Sequence, residues 1–202
     1  MVMTAETWSA IAAFIALSGS FLAWKAAAKS ADAASRLTEI ERRRWHHEMT
    51  PQLRAAVVAP KVWDNAELRL LLLGPTALHE VTLTVSIRDD WPDRKSTLAG
   101  GPTADEIAAT IWGPYRFNRA IDGGSEDGRS VETFRLTMGD YKPIALIRSA
   151  WPRWTNQDHW RTKYADAPVR IAVTCEHPDY EPWTVHLEVP VDIDEQAFFK
   201  PK

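Results

Sequence analysis

The feature that most constrains this chain is an apolar run near its N-terminus. Residues 7–24 contain eighteen consecutive uncharged positions, with a tryptophan near each end, Trp8 and Trp24. A helix of that length rises about 27 Å, close to the roughly 30 Å hydrocarbon core of a bilayer. The two tryptophans would then lie at the membrane interfaces. The run therefore predicts a transmembrane helix that follows a short tail at residues 1–6, with a soluble packing helix as the alternative.

The charges beside the run predict its orientation. No lysine or arginine precedes it, whereas six follow it closely: Lys25, Lys29, Arg36, Arg42, Arg43 and Arg44. This asymmetry predicts a single-pass protein of the cell membrane whose C-terminal domain is cytoplasmic. The single cysteine fits a reducing compartment, and the net charge of −3 gives no electrostatic footprint for nucleic acid.

Small residues follow one face of the predicted span. Ala12, Ala16, Gly19 and Ala23 fall on one side of a helix, where small side chains allow two helices to approach closely. This stripe predicts a homodimer formed through the span. The alternative is that alanine is simply abundant in this part of the chain.

A second helix is predicted directly after the span. Residues 25–50 are rich in Ala, Glu and Arg and contain neither Gly nor Pro, and Pro51 then ends the helical pattern. We therefore expect a helical stalk over 25–50.

Beyond the stalk the hydrophobic periodicity changes to two. Apolar and polar residues alternate strongly over 81–88, 169–176 and 184–191, as in half-buried strands. Four weaker strand candidates are 53–59, 67–73, 131–138 and 144–148. Seven strands separated by turn residues predict an all-β, antiparallel sandwich of the immunoglobulin-like class.

The sandwich domain is predicted to cover residues 51–194, followed by a tail at 195–202. Two long insertions interrupt it, at 89–130 and 149–168. Long loops on a rigid scaffold are common places for function.

The chain resembles a group of uncharacterised single-span membrane proteins of high-GC bacteria. The motifs that carry this resemblance, after the span and the stalk, are 68–75 leading into 81–87, the run Trp-Gly-Pro-Tyr-Arg-Phe at 112–117, and the closing Cys175 and Trp183. The resemblance implies a cytoplasmic immunoglobulin-like domain and supplies no activity and no catalytic residues.

Aromatic and arginine residues concentrate in the two insertions. Trp, Tyr and Arg dominate the energetics of binding interfaces. We therefore predict a binding surface made of Trp112, Tyr115, Arg116, Trp151, Arg153, Trp154 and Trp160. The alternative is that the tryptophans fold back and pack together as a satellite core.

Catalytic and metal signatures are weak. Cys175 and His177 are spaced as a nucleophile and base on one strand face, but that face is apolar, which favours a packed thiol. His46, His47 and Glu48 are adjacent on a helix and point too far apart to chelate one ion. Neither a phosphate-binding loop nor a nucleophile elbow is present. The sequence therefore predicts no catalytic residue, no metal and no cofactor.

Two functions follow from these observations. The first is a non-enzymatic, membrane-anchored interaction module that binds an unknown protein partner through its sandwich. The second is a membrane-anchored hydrolase or ligand-binding enzyme whose acid and base come from the long loops. The candidates for that pair are Asp90, Glu106, Asp158 and His159.

Overall fold

The structure, a computed structural model, describes residues 25, 29–59, 64–91, 94–95 and 100–192. The chain divides into two compact units, Met1–Glu48 and Met49–Lys202. We refer to them as the N-terminal unit and the β-unit.

Helix α1 of the N-terminal unit spans residues 29–48. Oppositely charged side chains four residues apart form ion pairs along it: Arg36 with Asp32 at 3.0 Å, Arg43 with Glu39 at 2.8 Å, and Arg44 with Glu48 at 2.7 Å. Such exposed pairs each stabilise a helix by only about 0.3–0.5 kcal/mol. Good helix formers and the lack of Gly or Pro therefore contribute more to α1 than its charges do.

The prediction of a single-pass membrane protein is wrong. Within the described ranges, no helix is both long and apolar enough to cross a bilayer. This finding contradicts the predicted membrane localisation, and α1 is instead lined with charged side chains. The run at 7–24, with Trp8, Trp24 and the stripe of Ala12, Ala16, Gly19 and Ala23, lies outside the described residues. The dimer expected through that stripe therefore stays a prediction.

Two β-sheets and two short helices make up the described part of the β-unit. In chain order the elements are β1 (Gln52–Val58), β2 (Asn65–Gly74), β3 (Glu80–Ile87), α2 (Ala104–Ala109), β4 (Tyr115–Phe117), β5 (Phe134–Thr137), β6 (Tyr141–Arg148), α3 (Gln157–Tyr164), β7 (Val169–His177), β8 (Tyr180–Val189) and β9 (Val191–Asp192). The strand order is β4-β6-β2-β1-β9 in one sheet and β5-β3-β7-β8 in the other. The arrangement is sandwich-like.

Alternating side chains explain why β3 and β7 pair as they do. The two strands are antiparallel, and their register places Leu83 opposite Cys175 and Val85 opposite Val173. These side chains are completely buried, whereas Thr84 and Thr174, one position along, lie on the outer face. A slip by one residue would turn every apolar side chain of the strand towards solvent, so burial fixes this register.

The predicted sheet differs from the observed one in two respects. The described residues form nine strands instead of seven, because β4 and β9 have only three and two residues and leave no clear alternation in the sequence. In addition, β9 pairs parallel to β1, with Val57 opposite Val191, so the sandwich is not purely antiparallel.

The core lies between the two sheets. Its fully buried side chains come from both of them and include Leu68, Leu70, Leu72, Val81, Leu83, Ile144, Leu146 and Ile171. The first insertion contains helix α2 and the short edge strand β4, which pairs with β6, and the second insertion contains helix α3. The candidate site is built from these insertions.

Candidate functional site

The seven residues predicted to form a binding surface separate into two groups. Trp112, Tyr115 and Trp160 are buried. Trp151 and Trp154 are 44% and 40% exposed. Arg153 is also exposed and Arg116 is half-buried. The alternative of a satellite core therefore describes Trp112 and Trp160, Tyr115 belongs to the main core, and only the second group can meet a ligand directly.

The satellite core consists of Trp112, Trp160 and Tyr164. The ring centroids of Trp112 and Trp160 lie 5.4 Å apart, and those of Trp160 and Tyr164 lie 4.7 Å apart, in tilted arrangements favoured by aromatic pairs. The indole N–H of Trp112 donates to the carbonyl of Ile107 at 3.1 Å. These contacts pack helix α3 against the first insertion.

Asp90 is the ionic centre of this satellite core. Its carboxylate accepts hydrogen bonds from the Tyr164 hydroxyl and from the side chains of Lys163 and Arg94, each at 2.9 Å. Burial by itself favours the protonated form of Asp90, but these three hydrogen bonds outweigh it and lower its pKa. The same environment, burial first and the Asp90 hydrogen bond second, raises the pKa of Tyr164. Both groups therefore keep their structural protonation states at neutral pH.

Asp89 and Arg129 together stabilise the C-terminal end of helix α2. Asp89 accepts from the backbone N–H of Trp112 at 2.9 Å and pairs with Arg129 at 3.2 Å. The Arg129 guanidinium also donates to the carbonyls of Ala108 and Thr110, both at 2.7 Å. These bonds satisfy carbonyls at the C-terminal end of α2 and hold its last turn against Asp89 and Arg129, at the two ends of the first insertion.

Two adjoining cavities lie around Trp151. The larger, of about 530 Å³, is lined by Asp64, Pro114, Ile147, Arg148, Ser149, Ala150, Trp151, Trp160, Arg161, Tyr164 and Ala165. The smaller, of about 390 Å³, is lined by Glu106, Ala109, Thr110, Ile111, Arg116, Asp127, Ser149, Ala150, Trp151, Pro152, Arg153 and Trp154. Ser149, Ala150 and Trp151 line both cavities and form the wall that they share. We call this pair the Trp151 cavities.

Ser149 is an unusual component of that wall. It follows directly after strand β6 and is only 8% exposed. Its backbone N–H donates to the carbonyl of Pro114 at 3.1 Å, but its hydroxyl has no hydrogen-bond partner among the described residues. A buried polar group without a partner costs about 1–3 kcal/mol.

Strand pairing and a nearby glycine position Arg116, which lines the smaller cavity. Arg116 lies in β4, opposite Ile147 of β6. Its side chain runs past Gly128, where an added Cβ would lie 3.2 Å from Arg116 Cδ and 3.0 Å from the carbonyl oxygen of Phe117. Gly128 also has a φ of +73°, which favours glycine. The backbone at Gly128 thus leaves the space that the Arg116 side chain occupies.

Tyr115 packs against Arg148, which lines the larger cavity. It is buried, and the guanidinium carbon of Arg148 lies 4.9 Å from its ring centroid, within cation–π range. Burial raises the pKa of Tyr115. Because the ring is inaccessible, Tyr115 positions Arg148 and does not itself form a contact surface.

The four groups considered for acid–base catalysis do not lie together. Glu106 is in the capping box of α2, where its carboxylate accepts from the Thr103 N–H at 2.8 Å, and it lines only the smaller cavity. Asp90 belongs to the satellite core. Asp158 and His159 are exposed in the first turn of α3 and line neither cavity.

Cys175 and His177, the candidate nucleophile and base, line neither of the Trp151 cavities. Cys175 is completely buried in the core, and burial raises its pKa to about 12. His177 accepts a hydrogen bond from the Asp179 N–H at 3.2 Å in the turn between β7 and β8. In the described residues, no three His, Cys, Asp or Glu side chains are grouped as metal ligands.

Sequence reasoning missed Arg148, Ser149, Ala150 and Arg161 as wall residues. Arg148 is the last residue of strand β6 and Ser149 follows it, with no unusual pattern of alternation there, and Arg161 lies on a polar helix. No local pattern distinguishes these residues, because the cavities form only when β6, α3 and the second insertion pack together.

Comparisons of the chain with protein families, with curated proteins and with solved structures find no match. The family resemblance therefore stays a prediction. The function has to be argued from the geometry of the Trp151 cavities.

Proposed function

We propose that the β-unit is a non-enzymatic binding module whose ligand occupies the Trp151 cavities. The observation that carries this proposal is the Ser149 hydroxyl. It is buried at the wall common to both cavities and has no partner within the described part of the chain. Buried polar groups are nearly always paired, so an exception in a cavity wall calls for an explanation, and a bound ligand supplies one.

Trp151 supports the same proposal. It is 44% exposed although it separates two concave surfaces, so a large aromatic face is open to a ligand on either side. Volumes of about 390 and 530 Å³ fall in the range of small-molecule sites, roughly 300–1,000 Å³. A small ligand therefore fits these cavities better than a protein surface does, and the protein partner expected from the sequence stays a prediction.

We also propose that the sandwich is of the immunoglobulin-like class. Two sheets of five and four strands, paired antiparallel except for β9, support this proposal. No observation favours the hydrolase alternative, since its four candidate groups are dispersed as described above.

The test is a titration of the full-length, ¹⁵N-labelled chain with 2-naphthoate, a flat probe, followed by NMR through the indole N–H signals. We expect saturable shifts at Trp151 and Trp154, because both line the smaller cavity. Trp91 is exposed but lines neither cavity, so its signal should stay in place and serves as an internal control.

The variant Trp151→Ala should abolish the shifts at Trp154. Because Trp151 is partly exposed, the variant should fold, and unchanged signals from core residues such as Leu83 will show that it does. A titration of the wild type without saturable shifts at Trp151 and Trp154 would overturn the proposed function.

A further inference from the structure

We infer that the ligand of the Trp151 cavities is a small organic anion with a flat apolar body. This inference rests on the proposed function and names the chemical class of the ligand. It follows from the charges, the aromatic surface and the unpaired donor that meet around Trp151.

Four arginines surround Trp151. Arg148 and Arg161 line the larger cavity, and Arg116 and Arg153 line the smaller one. Arginine side chains elsewhere in the β-unit, such as Arg129 and those at 94, 135 and 170, pair with carboxylates. The four around Trp151 form no such ion pair with any described residue.

The acidic residues of the cavities neutralise these arginines only in part. Glu106 accepts hydrogen bonds from the backbone N–H and hydroxyl of Thr103 at 2.8 and 3.1 Å. Asp127 accepts from the Ser125 hydroxyl at 2.6 Å and from the Arg129 N–H at 2.9 Å. The hydrogen bond from Ser125 is the main reason that the pKa of Asp127 is lowered. Both carboxylates keep their charge, so the smaller cavity has two arginines and two carboxylates, whereas the larger has Arg148 and Arg161 against Asp64 alone, an excess of one positive charge.

Guanidinium groups select a particular kind of anion. Their planar fork of N–H donors matches the two oxygens of a carboxylate or the oxygens of a phosphate, and such charge-assisted hydrogen bonds are stronger than neutral ones. Guanidinium is also weakly hydrated and stacks on aromatic rings. An anion attached to an aromatic or other flat body therefore satisfies both properties.

The apolar part of the site favours that flat body. Ile111, Pro152 and Trp154 line the smaller cavity with Trp151, and Ile147 and Trp160 line the larger one with it. A planar ligand stacked on Trp151 keeps its apolar body against these side chains. Its anionic end then lies among the arginines, where the excess positive charge is that of Arg148 and Arg161 in the larger cavity.

Ser149 supplies an additional donor. Ser149 lines both cavities, and a rotation about its Cα–Cβ bond would turn its unpaired hydroxyl towards a ligand there. Donation to an anionic oxygen would then pair a group that is otherwise unsatisfied. Ligand binding thus removes the free-energy cost of the unpaired Ser149 hydroxyl in the free protein.

The experiment compares 2-naphthoate with 2-naphthamide, a neutral probe of nearly the same shape, on the full-length chain. Affinity is measured by the NMR titration of Trp151 described above. We expect 2-naphthoate to bind at least about tenfold more tightly, since a hydrogen bond to a charged group contributes about 1.5–3 kcal/mol.

The matched variants are Arg153→Gln and Arg161→Gln, with Arg119→Gln as the control. All three arginines are exposed, so none of the variants should disturb folding, and Arg119 lines neither cavity. The double variant at 153 and 161 should bind 2-naphthoate about tenfold more weakly. Its affinity for 2-naphthamide should be unchanged, and Arg119→Gln should behave as the wild type.

The possible results separate the two proposals. Equal affinity for the two probes at Trp151, or equal affinity of wild type and double variant for 2-naphthoate, overturns the anion inference while the binding module stands. Binding of neither probe at Trp151 overturns both. Tighter binding of 2-naphthoate that is lost in the double variant supports both.

Discussion

The guanidinium group of Arg94 stacks on Trp112, with 3.9 Å between Arg94 Cζ and the ring centroid. The same guanidinium donates to Asp90 at 2.9 Å, and Asp90 also binds Tyr164 and Lys163 of helix α3. A cation therefore connects the aromatic rings of the satellite core to their single carboxylate. This arrangement explains why Trp112 and Trp160, which are of a residue type common in binding interfaces, are packed in the interior here.

The first prediction concerns Asp90. Asp90→Asn removes the charge that Arg94 and Lys163 face in a largely buried site, so the free energy of unfolding should fall by about 2–4 kcal/mol. Urea denaturation of both proteins measures the change. Asp158→Asn is the matched control, because Asp158 is exposed on the same helix and the change there should stay below about 1 kcal/mol. Equal effects of the two variants would show that Asp90 does not organise the satellite core.

The second prediction is a pH dependence of the same interaction. The pKa of Asp90 is lowered in the folded protein, so the folded state binds the proton more weakly than the unfolded chain, whose Asp pKa is about 3.9. The stability that Asp90 contributes is therefore complete above the unfolded pKa and is lost as the pH falls through the folded pKa. The difference in unfolding free energy between wild type and Asp90→Asn should be constant from pH 7 to about pH 5 and shrink below about pH 4. A difference that persists unchanged at lower pH contradicts this.

The third prediction contrasts a buried with an exposed tryptophan. Trp160→Ala opens a space between Trp112 and Tyr164 and should lower the unfolding free energy by about 3–5 kcal/mol. Trp154→Ala, on the open side of the same insertion, should change it by less than about 1 kcal/mol. Denaturant unfolding of both variants tests the division of the predicted surface into a packed and an accessible group. Comparable losses would contradict that division.

The sandwich could be predicted from the sequence because each long strand carries its own signal. In β3, Val81, Leu83 and Val85 alternate with threonine and serine, and all three are buried as the alternation indicates. The short strands β4 and β9 were not predicted, since two or three residues cannot show a period. Their positions depend on tertiary pairing with β6 and β1.

The candidate site was predicted only in part for a related reason. Trp, Tyr and Arg in long loops indicate a region that is rich in contacts, but composition does not distinguish Trp160, which is buried, from Trp151, which is open. That difference depends on the amphipathic face of α3, which turns Trp160 and Tyr164 towards Trp112. The membrane prediction is wrong because no helix in the described ranges is long and apolar enough to cross a bilayer. It rested on the uncharged run at 7–24, which lies outside those ranges.

The fourth prediction concerns the reactivity of Cys175. Its pKa of about 12 leaves about one thiolate in ten thousand at pH 8, and its side chain is completely buried. The native protein should therefore not react with a thiol reagent such as dithionitrobenzoate within minutes, whereas the urea-unfolded chain should react with one equivalent, because the chain has one cysteine. Rapid reaction of the native protein would mean that strand β7 opens or that the thiol is accessible.

The last prediction separates the effect of the Ser149 hydroxyl on protein stability from its effect on ligand binding. Ser149→Ala deletes a buried hydroxyl that has no partner within the described ranges, while the backbone bond to Pro114 remains. The variant should therefore be as stable as the wild type or more stable by about 1 kcal/mol, in contrast to most buried substitutions, which destabilise. If the hydroxyl donates to the ligand, the same variant should bind 2-naphthoate several-fold more weakly, because only the bound state pairs it. Urea denaturation and the naphthoate titration measure the two effects on one protein. Reduced stability without reduced affinity would show that the hydroxyl has a structural partner and is not a ligand contact.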